Sequence, residues 1–586
     1  MKSDVYDVIV VGSGAAGLAA ACTAAAHGKR VLVLEAADRI GGTTAISGGM
    51  VWIPANHKMN AAGIEDSLDA ARNYLNHTVP GSVEDPRMQA FLTRGDEAIR
   101  FLEAHTSLQL QAVRRYPDYY PDTPGATAGG RVLEPVPFDA TALGPAFAQL
   151  RDPLPEFMLF GGMMVSREDL PILRRVGHSL GAVWHATKLV ARYAMQRIRA
   201  HRGTTLVLGN ALAARLFKSA RDLDVEIAIE AAVVGMIMEG DRVAGVRVKR
   251  EGQLRQLRAN DAVILATGGI SHHPDLRRDY IPAAAGEVSA TAKSGAGRGG
   301  AHLAGSLGAK LSPSAATVDD ALAFWVPVSK FRRADGSQAV FPHTVTDRAK
   351  PGLIAVNKDG RRFVNEAVSY HEFVRAQLRD STDNIPAWLV CDKDFLWKYG
   401  LGRVRPFALS IKRDLETGYL KRGKTMEELA EVLGLPVRNF VDTVHRFNLA
   451  AVRGLDSEFG RGSNIYQRHL GDVDQRPNPC VAPIRNGPFY AVAVYPADLG
   501  MAAGIVTDEH ARVLRKDGQP IAGLYACGND MHSVMNGAYP GPGITLGPAL
   551  VFGYIAGSHA SGKGALAGWA GEMGASSQQT ARRAAA

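Results

Sequence analysis

The first apolar run, Val-Tyr-Asp-Val-Ile-Val-Val at Val5–Val11, is rich in β-branched residues and predicts a strand buried in a parallel sheet. An alanine-rich stretch follows to His27 with the composition of a helix. A second short strand, Val31–Leu34, ends at Glu35. Apolar segments between residues 233 and 265, broken by Glu239-Gly240-Asp241 and Glu251-Gly252-Gln253, predict a β-meander returning to the sheet. From about residue 329 to 499 the pattern becomes mixed, with helices at Met426–Leu433 and Val437–Ala451. This predicts an α/β chain: a Rossmann-type nucleotide-binding domain (1–328 and 500–562) interrupted by an α+β substrate domain (329–499). The tail, 563–586, is Ala-, Gly-, Ser- and Gln-rich and is expected to be mobile.

Between the first strand and its helix stand Gly12-Ser13-Gly14-Ala15-Ala16-Gly17. Gly12 permits a tight turn, Gly14 admits a pyrophosphate against the backbone, and Gly17 allows helix and strand to pack closely. The helix N-terminus supplies free N–H donors to phosphate. Glu35 is placed to accept from a ribose 2′-hydroxyl, and its charge disfavours a 2′-phosphate. A second glycine-rich stretch, with Gly41, Gly42, Thr43, Thr44, Ser47, Gly48 and Gly49, follows at once. Ala266-Thr267-Gly268-Gly269 closes a later strand, and Gly523-Leu524-Tyr525-Ala526-Cys527-Gly528-Asn529-Asp530 gives another with a polar tip. Gly295-Ala296-Gly297-Arg298-Gly299-Gly300 repeats the glycine spacing, but no apolar strand precedes it; it is expected to open a helix over residues 301–308 instead of binding nicotinamide.

Composition narrows the picture. The chain has 586 residues, a net charge of +9 and four cysteines without a C-x-x-C pair, which excludes a disulfide framework and a zinc ribbon. No metal site is predicted, and a reducing cytosol is the expected compartment. The charge is local: residues 170–221 hold ten Lys and Arg and no acid. Without them the basic total of 67 falls to within one of the 58 acidic residues. These charges fall largely in a segment at about 155–203, expected to be an insertion. On a helix over residues 181–200, His185, Lys188, Arg192, Gln196 and Arg199 share one face, and Leu180, Val183, Trp184, Val190, Ala194 and Ile198 line the other. Peripheral contact with the inner face of the cytoplasmic membrane is one expectation for such a helix, a docked surface helix the other. Nucleic acid is not an expected partner, because the segment has one Trp and one Tyr and no base-reading module.

The four glycine-rich stretches in this order resemble the flavoprotein family that includes fumarate reductase flavoprotein subunits, which implies FAD. The stretch from Gly528 to Pro548, with Pro540, Pro542 and Pro548 interleaved with Gly541, Gly543 and Gly547, is similar to the 3-ketosteroid 1-dehydrogenases. Tyr116-Pro117-Asp118-Tyr119-Tyr120 and Arg361-Arg362-Phe363-Val364-Asn365-Glu366-Ala367-Val368-Ser369-Tyr370 have counterparts there in the same order. The resemblance implies dehydrogenation of a 3-ketosteroid between carbons 1 and 2 in steroid degradation. Tyr539 and the Gly543 N–H would hold the 3-keto oxygen, Tyr370 would take the carbon-2 proton, and Tyr119 or its neighbour Tyr120 would assist. Hydride from carbon 1 would pass to flavin N5, and the helix beginning near Leu546 would point its positive end at the flavin. Asn529 joins the cofactor-binding set, while His532 is given no role. Related covalent flavoproteins use a histidine after the ribose acid; none lies between residues 28 and 56, so FAD is expected to be noncovalent. A quinone or another acceptor would reoxidise it. A fumarate-type reductase, or a dehydrogenase acting at another steroid bond, is the alternative within this fold; an RNA-binding flavoprotein is a third.

Overall fold

The computed structural model describes residues 1–563 except 2, 83, 174, 178, 294–296, 316 and 320. Arg174, the Gly295-Ala296 pair and residues 564–586 of the tail lie outside the described residues. Strand β1 (Val5–Val11), helix α1 (Ala15–Ala26) and strand β2 (Val31–Leu34) form the expected unit, with β1 and β2 parallel. Strand β3 (Glu226–Ala228) extends the sheet beside β2. The meander is β4 (Ala232–Glu239), β5 (Arg242–Arg250) and β6 (Gln253–Leu265), and β6 returns parallel to β1, pairing Leu265 with Val11.

The insertion holds helix α2 (Leu180–Arg197), whose orientation differs from the face predicted by charge. Ala182, Leu189 and Tyr193 are buried, the last two packing with Met163. His185 and Gln196, expected on the solvated face, turn inward: His185 meets Asp169 at 2.8 Å and Gln196 donates to Thr205 at 2.7 Å. Tyr193 donates to the Phe160 carbonyl at 3.0 Å. These polar ties outweigh the pull of the apolar stripe, so Leu180, Trp184 and Ile198 are left 91%, 62% and 82% exposed. Lys188, Arg192 and Arg199 are exposed beside them.

The second sheet comprises β7 (Ala323–Arg332), β8 (Gln338–Pro342), β9 (Leu353–Val356), β10 (Ala387–Asp392), β11 (Lys421–Gly423) and β12 (Phe489–Met501). It is antiparallel, in the order β8-β7-β12-β10-β9, with β11 also beside β12. It begins ahead of Ser329 and ends beyond Leu499, because β7 and β12 pair from Ala323 and Met501 onward. Helix α3 (Tyr370–Arg379) lies across β7. The chain then returns to the first sheet through β13 (Arg512–Leu514) and β14 (Pro520–Ala526), with Leu524 beside Val263 of β6. Helix α4 (Leu546–Ala560) closes the fold along α1. Glycines make that approach: a Cβ on Gly553 or Gly557 would stand 2.6 or 2.5 Å from the carbonyl oxygens of Ala16 or Ala20. The helix at the second glycine motif is shorter than expected, Gly300–Gly305.

Candidate active site

A cavity of about 440 Å³ runs from the glycine loop of β1 to the junction of the two sheets. Gly12 has φ +111°, and a Cβ there would lie 2.1 Å from the Ala266 carbonyl oxygen, so the crossing of β1 and β6 demands glycine. Gly14 differs: its φ is −72°, and the nearest atom to a Cβ is the Thr44 hydroxyl at 3.8 Å. Its freedom is thus spent on the cavity and not on the fold. Glu35 closes the tip of β2, accepting from the Ser13 N–H and hydroxyl at 3.0 and 2.5 Å and from the Ala37 N–H at 2.9 Å. Ser13, Ala15, Ala16, Gly42, Thr43 and Thr44 face the cavity with Gly12 and Gly14, as do Ser47, Gly48, Gly49, Ala266, Thr267, Gly268, Asn529 and Leu546. Gly17 and Gly41 stand behind its wall: a Cβ on Gly17 would meet the Gly12 carbonyl, and the Gly41 N–H donates to Ser13 at 3.1 Å.

Three tyrosines meet at the other end. The Tyr119 hydroxyl donates to Tyr370 at 2.9 Å, and Tyr370 donates to Tyr539 at 2.8 Å. The rings of Tyr119 and Tyr539 are stacked at 5.6 Å, and Tyr370 stands edge-on to both. Tyr120 points elsewhere, donating to Glu372 at 2.8 Å, which separates the two adjacent candidates. The Pro540 carbonyl ties the loops together by accepting from the Tyr119 N–H at 2.9 Å and the Tyr74 hydroxyl at 2.6 Å. Gly543, at φ +97°, lies so close to Met50 that a Cβ would approach its backbone to 2.6 Å. The N-cap of α4, Thr545, makes no side-chain hydrogen bond, so the positive end of that helix faces the cavity at Leu546.

Burial sets the electrostatics. Desolvation pushes the Tyr539 phenol up to about 12. It holds Tyr370 well above the ordinary range; the charge of Tyr539 adds to this and the hydrogen bond from Tyr119 opposes it. Tyr119 is raised well above the ordinary range by the same burial. His371, next to Tyr370, is driven down to about 4 by burial and stays neutral.

Several wall residues carried no signal in the sequence. Phe157, Met164, Val165 and Leu170 bring an apolar wall from the insertion, and Pro342, Thr344 and Val345 bring another from the loop after β8. Tyr116 and Tyr466 are buried with hydroxyls that have no hydrogen-bond partner among the described residues, and Tyr466 packs on Tyr119 at 4.7 Å. Asp530 is buried and accepts from Thr267 and Gly269, fixing the strand ends on either side of the cavity. His273, Asp275 and His302 bring three potential metal ligands within 4.8 Å of one another. His532, expected to be a plain loop residue, bonds Ser312 at 2.7 Å and is pushed down to about 4 by burial.

A family model described as "FAD binding domain" matches residues 7–546. The 3-oxosteroid 1-dehydrogenase of Mycolicibacterium smegmatis is 37% identical over 95% of this chain and 97% of its own length. The 4-oxocyclohex-2-ene-1-carboxylate 5-dehydrogenase of Sinomonas cyclohexanicum is 36% identical over 95% of this chain and 94% of its own. Among solved structures, the 3-ketosteroid Δ1-dehydrogenase of Sterolibacterium denitrificans, in complex with 1,4-androstadiene-3,17-dione, matches with a TM-score of 0.88 and 36% identity, covering 96% of this chain and all of that one.

Proposed function

Since the chain belongs to the FAD-binding-domain flavoprotein family that includes the 3-oxosteroid 1-dehydrogenases, we propose that it dehydrogenates a 3-ketosteroid between carbons 1 and 2. The observation that carries this reading is the chain of three buried hydroxyls, Tyr119, Tyr370 and Tyr539, set at the opposite end of one cavity from the glycine loop. The residues present fit FAD. The uncapped N-termini of α1 and α4 offer backbone donors and positive dipole ends, and Gly14 leaves room that a side chain would take. Bound FAD supplies the two-electron, hydride-accepting chemistry. The FAD-binding domain is assigned to residues 1–328 and 500–562 and the substrate domain to 329–499, with the sheet of the latter reaching past these limits to Ala323 and Met501.

Within this reading Tyr539 and the Gly543 N–H hold the ketone oxygen and stabilise the enolate-like charge. Tyr370 takes the carbon-2 proton. Tyr119 donates to Tyr370 and so favours its phenolate, offsetting part of the penalty of burial. The apolar wall of Phe157, Met164, Val165 and Leu170 encloses the fused rings and keeps water from the reacting carbons. A small cyclic keto acid is the second reading, favoured by the Sinomonas relative and by Arg167 on the same wall. One assay separates them: FAD-loaded protein with an artificial electron acceptor is given a 4-ene-3-ketosteroid or 4-oxocyclohexanecarboxylate. A new carbon 1–carbon 2 double bond in the steroid is the expected product, and turnover of the keto acid alone would overturn the steroid reading.

No helix among the described residues is long and apolar enough to cross a membrane. The exposed apolar residues of α2, with Lys188, Arg192 and Arg199 beside them, support peripheral contact with an anionic lipid surface. The insertion also walls the cavity, so a substrate and a quinone acceptor dissolved in lipid would have a short route to it.

A further inference from the structure

Arg348 is buried behind the cavity wall, and among the described residues its guanidinium hydrogen-bonds only to backbone carbonyls. Nε donates to His343 at 2.9 Å, one Nη to Glu366 at 2.9 Å and Val368 at 3.2 Å, and the other Nη to Thr344 at 3.1 Å. Those carbonyls belong to two loops. Residues 343–344 lie in the loop that walls the cavity after β8, and residues 366–368 lead into Tyr370, the first residue of α3. The guanidinium carbon also stands 5.1 Å from the ring of Phe373, one turn further along α3. One side chain therefore braces the substrate wall against the segment that presents Tyr370.

The neighbouring acids are engaged elsewhere. Glu366 is gripped by Arg362 at 2.9 and 2.8 Å and by Arg461 at 3.2 Å. Asp347 holds His343 at 2.6 Å and accepts from the Gly402 N–H at 3.1 Å and the Arg348 backbone N–H at 2.8 Å. Among the described residues the Arg348 guanidinium has no carboxylate hydrogen bond, so its fork is spent on the carbonyls of the two loops. Of the groups around Tyr370, Tyr119, Tyr539, Tyr116 and Tyr466 are phenols, and His371 is neutral. Glu372 and Arg375 on α3 pair with each other at 3.0 Å.

We propose that Arg348 is a positioning residue for Tyr370, fixing the place of its hydroxyl, and with it the Tyr119 hydrogen bond that favours its phenolate, through the 366–370 segment. The inference rests on Tyr370 serving as the base. Its test is the pH dependence of flavin reduction by androst-4-ene-3,17-dione in FAD-loaded wild type, Arg348→Gln, Arg348→Lys and, as control, Tyr370→Phe.

The wild-type rate should rise with pH as the base deprotonates. Arg348→Gln loses the fork that holds the 366–368 carbonyls, so the Tyr119–Tyr370 hydrogen bond should loosen, the rise should move to higher pH and the plateau should fall, with flavin content unchanged. Arg348→Lys keeps the charge but cannot reach both loops, so it should be displaced in the same direction. Equal midpoints for Gln and wild type would overturn the proposal. Should the Gln variant fail to hold flavin, the Lys variant decides alone: a displaced midpoint supports the role, and a wild-type midpoint removes it. A Tyr370→Phe enzyme as fast as wild type would instead remove the base assignment. A slow Tyr370→Phe with an undisplaced Gln variant removes only Arg348.

Discussion

At the scale of single residues, the tyrosine chain and the glycine loop make opposite kinds of demand. The tyrosines are defined by one oxygen each, so Tyr370→Phe and Tyr539→Phe should leave the fold and the flavin spectrum intact. Steroid-dependent flavin reduction should slow by about 10²-fold or more in stopped flow, the scale of a lost general base or oxyanion donor. The glycines separate fold from function. A Cβ at Gly14 meets nothing closer than Thr44 in the protein, so Gly14→Ala should fold and purify colourless, its methyl standing where a pyrophosphate approaches. Gly12→Ala puts a methyl into the Ala266 carbonyl and should lower expression itself. Thermal melts of both proteins with added FAD distinguish the two losses. The choice between Tyr119 and Tyr120 shows the limit of reading at this scale: adjacent tyrosines are equivalent until the backbone turns one toward Tyr370 and the other toward Glu372.

Among the elements, α3 and α2 carry the testable consequences. Tyr370 opens α3, whose N-cap Ser369 accepts from the Glu372 N–H at 3.2 Å. Ser369→Ala should cost about 1 kcal/mol of stability and reduce activity more than melting temperature alone predicts, because it frees the turn that holds Tyr370, the proposed base. For α2, wild-type protein should co-sediment with anionic vesicles at low salt and be released by high salt. Replacing Leu180, Trp184 and Ile198 with Ser should weaken binding at all salt concentrations, and Arg192→Glu with Arg199→Glu should abolish it at low salt. Activity on detergent-solubilised steroid should persist in both. Equal sedimentation by all three proteins would leave α2 a docked surface helix. Arg197 is omitted because its guanidinium donates to the Ala200 and His201 carbonyls in the turn that follows its helix.

For the whole molecule, the buried imidazoles set the acid limit. His371, His469 and His532 are all driven down to about 4 by burial. Their folded values lie below the unfolded value, so the unfolded chain binds more protons between pH 6.5 and 4. Stability should therefore fall as pH falls through that window, by up to about 1.4 kcal/mol per unit for each histidine that stays neutral. His57, raised chiefly by its bond to Asp96, works the other way, adding stability below its unfolded value and losing it as pH rises through the folded one. Asp96 and Asp472, both lowered to about 2, keep their contribution until pH falls below about 3.8. Melting curves from pH 7.5 to 4.5 should slope downward with acid, and a His371→Gln variant that still folds should slope less.

How much was legible in the sequence followed the range of the interactions involved. β1, β2 and the helices Met426–Leu433 and Val437–Ala451 were readable to the residue, because runs of apolar residues and glycine punctuation act over a few positions. The glycine loop, Glu35 and the Tyr539 loop were readable for the same reason: each packs its chemistry into one short stretch. The face of α2 was not, since Tyr193 and His185 dock through Phe160 and Asp169, partners outside its own periodicity. Nor was the start of the second sheet, which depends on β7 finding β12 more than 150 positions away. Tyr119, Tyr370 and Tyr539 stand far apart in the chain, and the wall of the insertion and the brace of Arg348 are likewise built from distant segments. Local order is dictated by neighbours in sequence. Which hydroxyl meets which, and which side chain braces the turn of Tyr370, was decided only when packing brought those segments together.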